Sequence, residues 1–171
     1  MRKLLQLKAG LLFAFVLLTS VSQAQDKKPA SPADSVSSTV AGSTLTINYS
    51  SPSVKGRKIW GGLEAYGKVW RAGANAATTF TTTKAIKVEG KPLAAGTYSF
   101  FLIPNEKGAW VAIFNKVAKQ MGAFNYDEKQ DALRVNVTPK KSAPQERLVY
   151  VINKSGFSLK WDTVEIPVSI K

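Results

Sequence analysis

Apolar and polar residues alternate with a period of two along most of the chain beyond Gly42. Leu45, Ile47 and Tyr49 alternate with Thr44, Thr46 and Asn48, and Leu133, Val135 and Val137 with Arg134, Asn136 and Thr138. Phe157, Leu159 and Trp161 alternate with Ser158, Lys160 and Asp162, and Val164, Ile166, Val168 and Ile170 with Glu165, Pro167, Ser169 and Lys171. A strand sends successive side chains to opposite faces, so this pattern predicts strands with one face in a core and one in water. Tyr98–Ile103 and Leu148–Ile152 are apolar at nearly every position, which predicts central strands covered on both faces. Thr78–Thr83 reads as a Thr-rich strand around Phe80. Ala109–Phe114 pairs with the Tyr98 strand through Pro104–Gly108, and Asn153–Gly156 closes another hairpin. Pro167 has no N–H to give a ladder, so the last strand lies at an edge or carries a bulge there.

A helical stripe is nearly absent. Its best candidate is Lys116–Gly122, at most two turns. Short strands separated by regular turn signals predict an all-β domain, a β-sandwich or jelly roll of about eight or nine strands. A closed β-barrel is the alternative. There is no internal repeat.

The N-terminal pattern is different. Arg2, Lys3 and Lys8 precede an apolar stretch from Ala9 to Leu18, and Ser22-Gln23-Ala24 follows. Positive residues, an apolar stretch and small residues before a cut are the three parts of a cleaved signal peptide. The stretch is too short for a membrane span, which takes roughly 20 residues. No cysteine stands near the cut to carry a lipid. The expected organisation is a signal peptide over 1–24, a Ser/Pro/Ala-rich flexible lead over 25–40 whose last residues enter the fold, and one all-β domain over 41–171. The expected location is periplasmic or secreted, in soluble form after cleavage.

Composition narrows the chemistry. The chain has no cysteine and no histidine, so neither a Ser-His-Asp nor a Cys-His nucleophile system can be built. A zinc site of Cys and His ligands is excluded as well, and no metal or cofactor is expected. Lys and Arg number 24 against 11 Asp and Glu, for a net charge of +13. Export argues against nucleic acid as the partner. Acidic glycans, lipid head groups and small anions remain as polyanions that a positive field would draw in; solubility alone is the other reading. The sequence leaves the oligomeric state open.

Candidate chemistry concentrates between Ser51 and Asn75. The segment holds Gly56, Gly61, Gly62, Gly67 and Gly73, five basic residues and one acid, Glu64. Arg forks carboxylate or phosphate, and Trp and Tyr offer flat surfaces to sugar rings or cations. The candidate ligand residues are Lys55, Arg57, Trp60, Tyr66, Lys68, Trp70, Arg71 and Asn75. The competing reading is structural: the tryptophans plug the end of the sandwich, and Arg71 clamps loop carbonyls or pairs with Glu64. Asp127, Glu128 and Asp131 form the densest acidic group, whose spacing does not match a calcium loop. Asp34-Ser35-Val36 and Asp162-Thr163-Val164 have the form of short O-glycosylation acceptors, the first of them in the expected lead.

Three functions follow from these residues. The leading one is a non-catalytic binding module for a glycan or small anionic ligand. The second is a carboxylate- or lysine-based hydrolase or lyase using Glu64, Asp127 and Lys68. The third is a structural module that meets another envelope protein.

Longer motifs carry a resemblance. Ser51-Pro52-Ser53-Val54-Lys55-Gly56-Arg57 and Tyr66-Gly67-Lys68-Val69-Trp70-Arg71-Ala72-Gly73-Ala74-Asn75 are the most specific. With Leu93-Ala94-Ala95-Gly96-Thr97-Tyr98, Ile113-Phe114-Asn115-Lys116 and Tyr126-Asp127, they make the chain from about Val40 to Lys171 resemble the exported bacterial family called domain of unknown function 2911. The resemblance implies an all-β exported domain and brings no activity.

Overall fold

A computed structural model describes residues 29–171. The expected signal peptide at 1–24 lies outside the described residues. The elements are β1 (Ala33–Val40), β2 (Ser43–Ser50), β3 (Thr78–Thr82), β4 (Ile86–Val88), β5 (Lys91–Leu93), β6 (Gly96–Ile103), β7 (Trp110–Asn115), β8 (Asp131–Val137), β9 (Lys140–Asn153) and β10 (Gly156–Ser169). A single 3-10 turn, Glu128–Gln130, is the one helical element among the described residues. The expected turns of helix at Lys116–Gly122 do not form. That segment is irregular, and the Gln120 carbonyl accepts from the Ala77 amide outside any helix.

Six strands form one antiparallel sheet in the order β1-β2-β3-β6-β7-β8. Its ends are not joined, so the fold is an open sandwich-like arrangement and not a closed barrel. Alternation decides the register. Ile47 faces Phe80, Phe80 faces Tyr98, Phe100 faces Phe114, and Phe114 faces Leu133, which puts a row of rings on the inner face. β6 lies inside this sheet with Tyr98 to Leu102 all buried, as its two-sided apolar run predicts. Its outer-face residue Phe101 packs with Ile113 and Ala77 under Val69 and Tyr126.

The second layer is built on the β9–β10 hairpin, 14 residues in each strand. Leu148, Tyr150, Phe157, Leu159, Trp161, Ile166 and Val168 close the main core against the six-stranded sheet. Ser51–Val54 runs along the free edge of β9: the Val54 amide donates to Glu146 and the Leu148 amide to Pro52. Leu148–Ile152 is therefore not a strand covered on both faces, and Val151 is exposed, because only one sheet stands against this hairpin. Beyond Glu165↔Lys140 the ladder to β9 ends, and pairing with Glu89 and β4 begins at Ser169 and runs to Lys171, so Pro167 falls in the gap between the two. That is the placement its missing N–H requires.

The domain begins before residue 41. Ala33–Val40 pairs with β2 along its whole length, from Ala33↔Ser50 to Val40↔Ser43. The expected lead ends at Pro32 instead of Val40. Only Val36 and Val40 turn toward the core, so β1 has too few apolar positions to stand out in sequence.

Candidate functional site: an aromatic and basic cleft

The chain has four tryptophans, and all of them meet. Trp60 sits edge-on to Trp110 at 4.8 Å between centroids, to Trp70 at 5.5 Å and to Trp161 at 5.8 Å. Trp70 stacks on Trp161 at 5.8 Å and 19°. Edge-to-face packing suits the ring quadrupole and adds to the gain from burying these large side chains. The structural reading of Trp70 is thus correct: it is buried, its indole N–H donates to the Gly73 carbonyl at 3.2 Å, and its backbone pairs with Leu102.

Trp60 and Trp110 have a second role. They help line a cleft of about 730 Å³, with Tyr66, Asn105, Glu106, Thr138, Lys140, Lys141 and Thr163 around it. Ligand pockets span about 300–1,000 Å³, so the cleft is of binding size. Several local structures shape it. The β6–β7 turn is tied by Asn105, whose side-chain amide donates to the Ala109 carbonyl at 2.6 Å and whose own carbonyl accepts from the Trp110 indole at 2.9 Å. Trp110 faces Val137 in register, which brings the β8–β9 reversal with Lys140 and Lys141 alongside. Across from Lys141, Val164 follows a bulge centred on Asp162, which has φ 54°. The bulge re-aims Thr163 and Val164 into the lining.

Tyr66 is held by two devices. The Gly67 amide donates to the Pro104 carbonyl at 2.8 Å, and the ring lies over Gly61. Gly61 has φ 71°, and a Cβ there would stand 2.5 Å from the Tyr66 ring. Only glycine allows both the left-handed backbone and the close approach. Tyr66 is 37% exposed, which leaves a ring surface open to a ligand.

The eight predicted residues do not all converge. Trp60 and Tyr66 line the cleft. Lys55 and Lys68 are exposed and outside its lining. Arg57 is exposed and clamps its own turn, giving Nε to the Val54 carbonyl at 3.1 Å and Nη2 to the Ser53 carbonyl at 2.5 Å. Asn75 gives its side-chain amide to the Ser31 carbonyl at 3.2 Å, anchoring the chain before β1. Arg71 is half-buried, and its Nε is buried without a hydrogen-bond partner. The ion pairs among the described residues are Arg134–Glu128, Arg134–Asp131 and Lys160–Glu165, so the expected Arg71–Glu64 pair is not formed. The carbonyl clamp expected of Arg71 is made by Arg57.

Glu64 is nonetheless unusual. Burial pushes its carboxyl up to about 7, against the opposing fields of Arg71 and then Arg57. Asp127, its expected partner in acid–base chemistry, is engaged elsewhere. Asp127 accepts from the Lys129 amide and caps the 3-10 turn. Asp131 accepts from Tyr126 Oη at 2.6 Å and from the Asn115 side chain at 2.8 Å, and Arg134 pairs with Glu128. The acidic group is a structural knot. Among the described residues no three acidic side chains gather to hold a metal ion. Asp34-Ser35-Val36 lies in β1 and not in a free lead, with Ser35 Oγ donating to Asn48 at 2.8 Å.

Trp110, Lys140, Lys141, Thr138 and Thr163 escaped the sequence reading. They come from three separated segments, and only the register of β7, β8, β9 and β10 unites them. The sole local signal was Pro139-Lys140-Lys141, a proline followed by adjacent cations between two strands.

Comparison with known proteins identifies the family and nothing closer. The family described as protein of unknown function (DUF2911) matches residues 31–170, and the chain belongs to it. The match takes in β1, which the motif resemblance from about Val40 did not. No curated protein and no solved structure matches the chain.

Proposed function

We propose that this chain is an exported, non-catalytic binding module that takes an anionic glycan in the cleft between Tyr66 and Lys140–Lys141. The observation that carries the reading is the cleft's composition: three aromatic side chains and two adjacent cations in one lining, against a single carboxylate, Glu106. A sugar ring has apolar C–H faces that stack on Tyr66 and polar edges that need hydrogen bonds, which Asn105, Thr138 and Thr163 can supply. Lys140 and Lys141 are exposed point charges suited to a carboxylate or sulfate on that ring. Export is read from the pattern at residues 1–24 and gives a periplasmic or secreted location. The absence of His and Cys, and the separate engagement of Asp127, favour binding over hydrolysis.

The test is a melting and calorimetric screen of residues 29–171 with acidic monosaccharides and oligosaccharides, neutral sugars and inorganic phosphate. An acidic sugar is expected to raise the melting temperature and quench tryptophan emission, since Trp60 and Trp110 wall the cleft. Tyr66→Ala and the Lys140→Ala/Lys141→Ala pair should each weaken that binding. If millimolar acidic sugars shift neither signal, the reading is wrong.

A further inference from the structure

Next to the cleft lies a second hollow of about 290 Å³, and the two share Thr138 and Lys140 in their linings. Its existence follows from the course of β10. The Gly156 α-carbon comes so close to the Val168 carbonyl that a Cβ has no room, and the Ile170 amide donates to the Ser155 carbonyl at 2.8 Å. The far end of β10 thus returns to the hairpin turn, and the hollow forms inside that curl.

The two hollows differ in charge. The first sets Lys140 and Lys141 against one carboxylate, Glu106, and adds Tyr66; the second sets two carboxylates against the shared Lys140. The second is lined by Glu89, Glu165, Asn153 and Ser158, with no aromatic platform other than buried Phe157. Glu89 uses one carboxylate oxygen on the Ser169 amide at 2.6 Å, and Glu165 stands 3.5 Å from Lys160 Nζ. Both carboxylates keep acceptor capacity toward the hollow, because an ionised carboxylate has about four lone-pair sites. Such a lining accepts hydrogen bonds from hydroxyls or amides and repels a second negative charge.

We infer that the ligand is a chain of mixed units: an acidic sugar against Tyr66, Lys140 and Lys141, joined to a neutral or amide-bearing sugar that occupies the second hollow. The inference rests on the cleft being a glycan site and adds the order of charges along the ligand. Lys140 belongs to both linings and so stands at the junction, where the linkage between the two units would pass.

Calorimetry with defined sugars tests this. The probes are glucuronic acid alone, an alternating glucuronic acid–N-acetylglucosamine tetrasaccharide, and tetragalacturonate. The alternating tetrasaccharide should bind about tenfold or more tighter than glucuronic acid, as the second unit adds its contacts without a second association step. Tetragalacturonate should gain little over the single acid. Glu89→Gln/Glu165→Gln keeps the shape and one acceptor oxygen on each side chain while removing both charges, and a melt establishes its fold. In that variant tetragalacturonate should gain affinity toward the level of the alternating chain. Equal binding of glucuronic acid and the alternating tetrasaccharide overturns the two-unit inference and leaves the cleft reading standing. Equal gains for both tetramers in the unaltered protein overturn the charge order. Binding of none of the three removes both the inference and the glycan reading.

Discussion

A carboxyl group near neutrality in the middle of a basic segment has a measurable consequence. Glu64 titrates at about 7 when folded, raised by burial from an ordinary 4.5. Between those values the folded chain holds a proton that the unfolded chain has lost. Stability must then fall as pH rises through this window, the reverse of the usual salt-bridged carboxylate. Urea midpoints at pH 5 and pH 8 should show a drop for the native sequence and a smaller one for Glu64→Gln; equal drops would mean that Glu64 is as solvated folded as unfolded. Gly61 is the second residue whose neighbourhood decides its role. Gly61→Ala places a Cβ against the Tyr66 ring in a left-handed backbone, at a cost of about 1–2 kcal/mol. It should lower the melting temperature modestly and weaken ligand binding as Tyr66→Ala does. At this scale the sequence was half legible. Trp60 and Tyr66 were readable from their flat rings among glycines. The carbonyl clamp expected of Arg71 fell to Arg57, because charge and neighbours alone do not tell which guanidinium reaches a carbonyl.

Whole elements were readable wherever burial alternated cleanly. β2, β8 and β10 appear where period-two patterning placed them, β6 and β9 where continuous apolar runs did, and β7 where the Pro104–Gly108 turn did. The failures have physical causes. At Lys116–Gly122 a few helix-forming residues were outweighed by a pairing with Ala76 and Ala77. Leu148–Ile152 looked central because Val149, Val151 and Ile152 are apolar, although Val151 faces water. The curl of β10 was invisible, since it depends on contact between Gly156 and Val168, twelve positions apart in sequence. That contact can be tested against another glycine. Gly156 and Gly90 both have positive φ, at 141° and 80°, but only Gly156 has backbone where a Cβ would go. Gly90→Ala should cost about 1 kcal/mol, the backbone term alone. Gly156→Ala should cost at least about 2 kcal/mol more from overpacking, and should also loosen the second hollow that the curl encloses. Denaturant melts of the two variants decide it: similar losses would mean that β10 relaxes away freely and that the curl does not depend on this approach.

The molecule as a whole is a six-stranded sheet covered by one long hairpin, with a 27-residue excursion from Ser51 to Ala77 laid over the join. The excursion supplies Trp60, Tyr66 and Trp70, the sheet supplies Trp110, and the hairpin supplies Trp161, Lys140 and Lys141. The cleft therefore exists only when both layers and the excursion are docked, and binding should report global folding. Where the cooperative unit begins then matters. Composition put the boundary at residue 41, because Ala33–Val40 is rich in Ser and poor in large apolar residues. Yet β1 pairs fully with β2, Tyr49 Oη donates to Asp34 at 3.0 Å, and the Ser51 amide donates to the Pro32 carbonyl at 2.8 Å. A chain starting at Ser31 should melt with the same midpoint as one starting at Gln25. A chain starting at Ala41 loses eight residues of ladder and uncovers Val40's site in the core. It also leaves β2, with Leu45, Ile47 and Tyr49 on one face, as an unprotected edge open to pairing with other chains. The shortened chain should melt at a clearly lower temperature and aggregate as it does so, read by light scattering alongside circular dichroism. If it melts with the same midpoint and without added light scattering, β1 is an appendage and the domain starts where composition placed it.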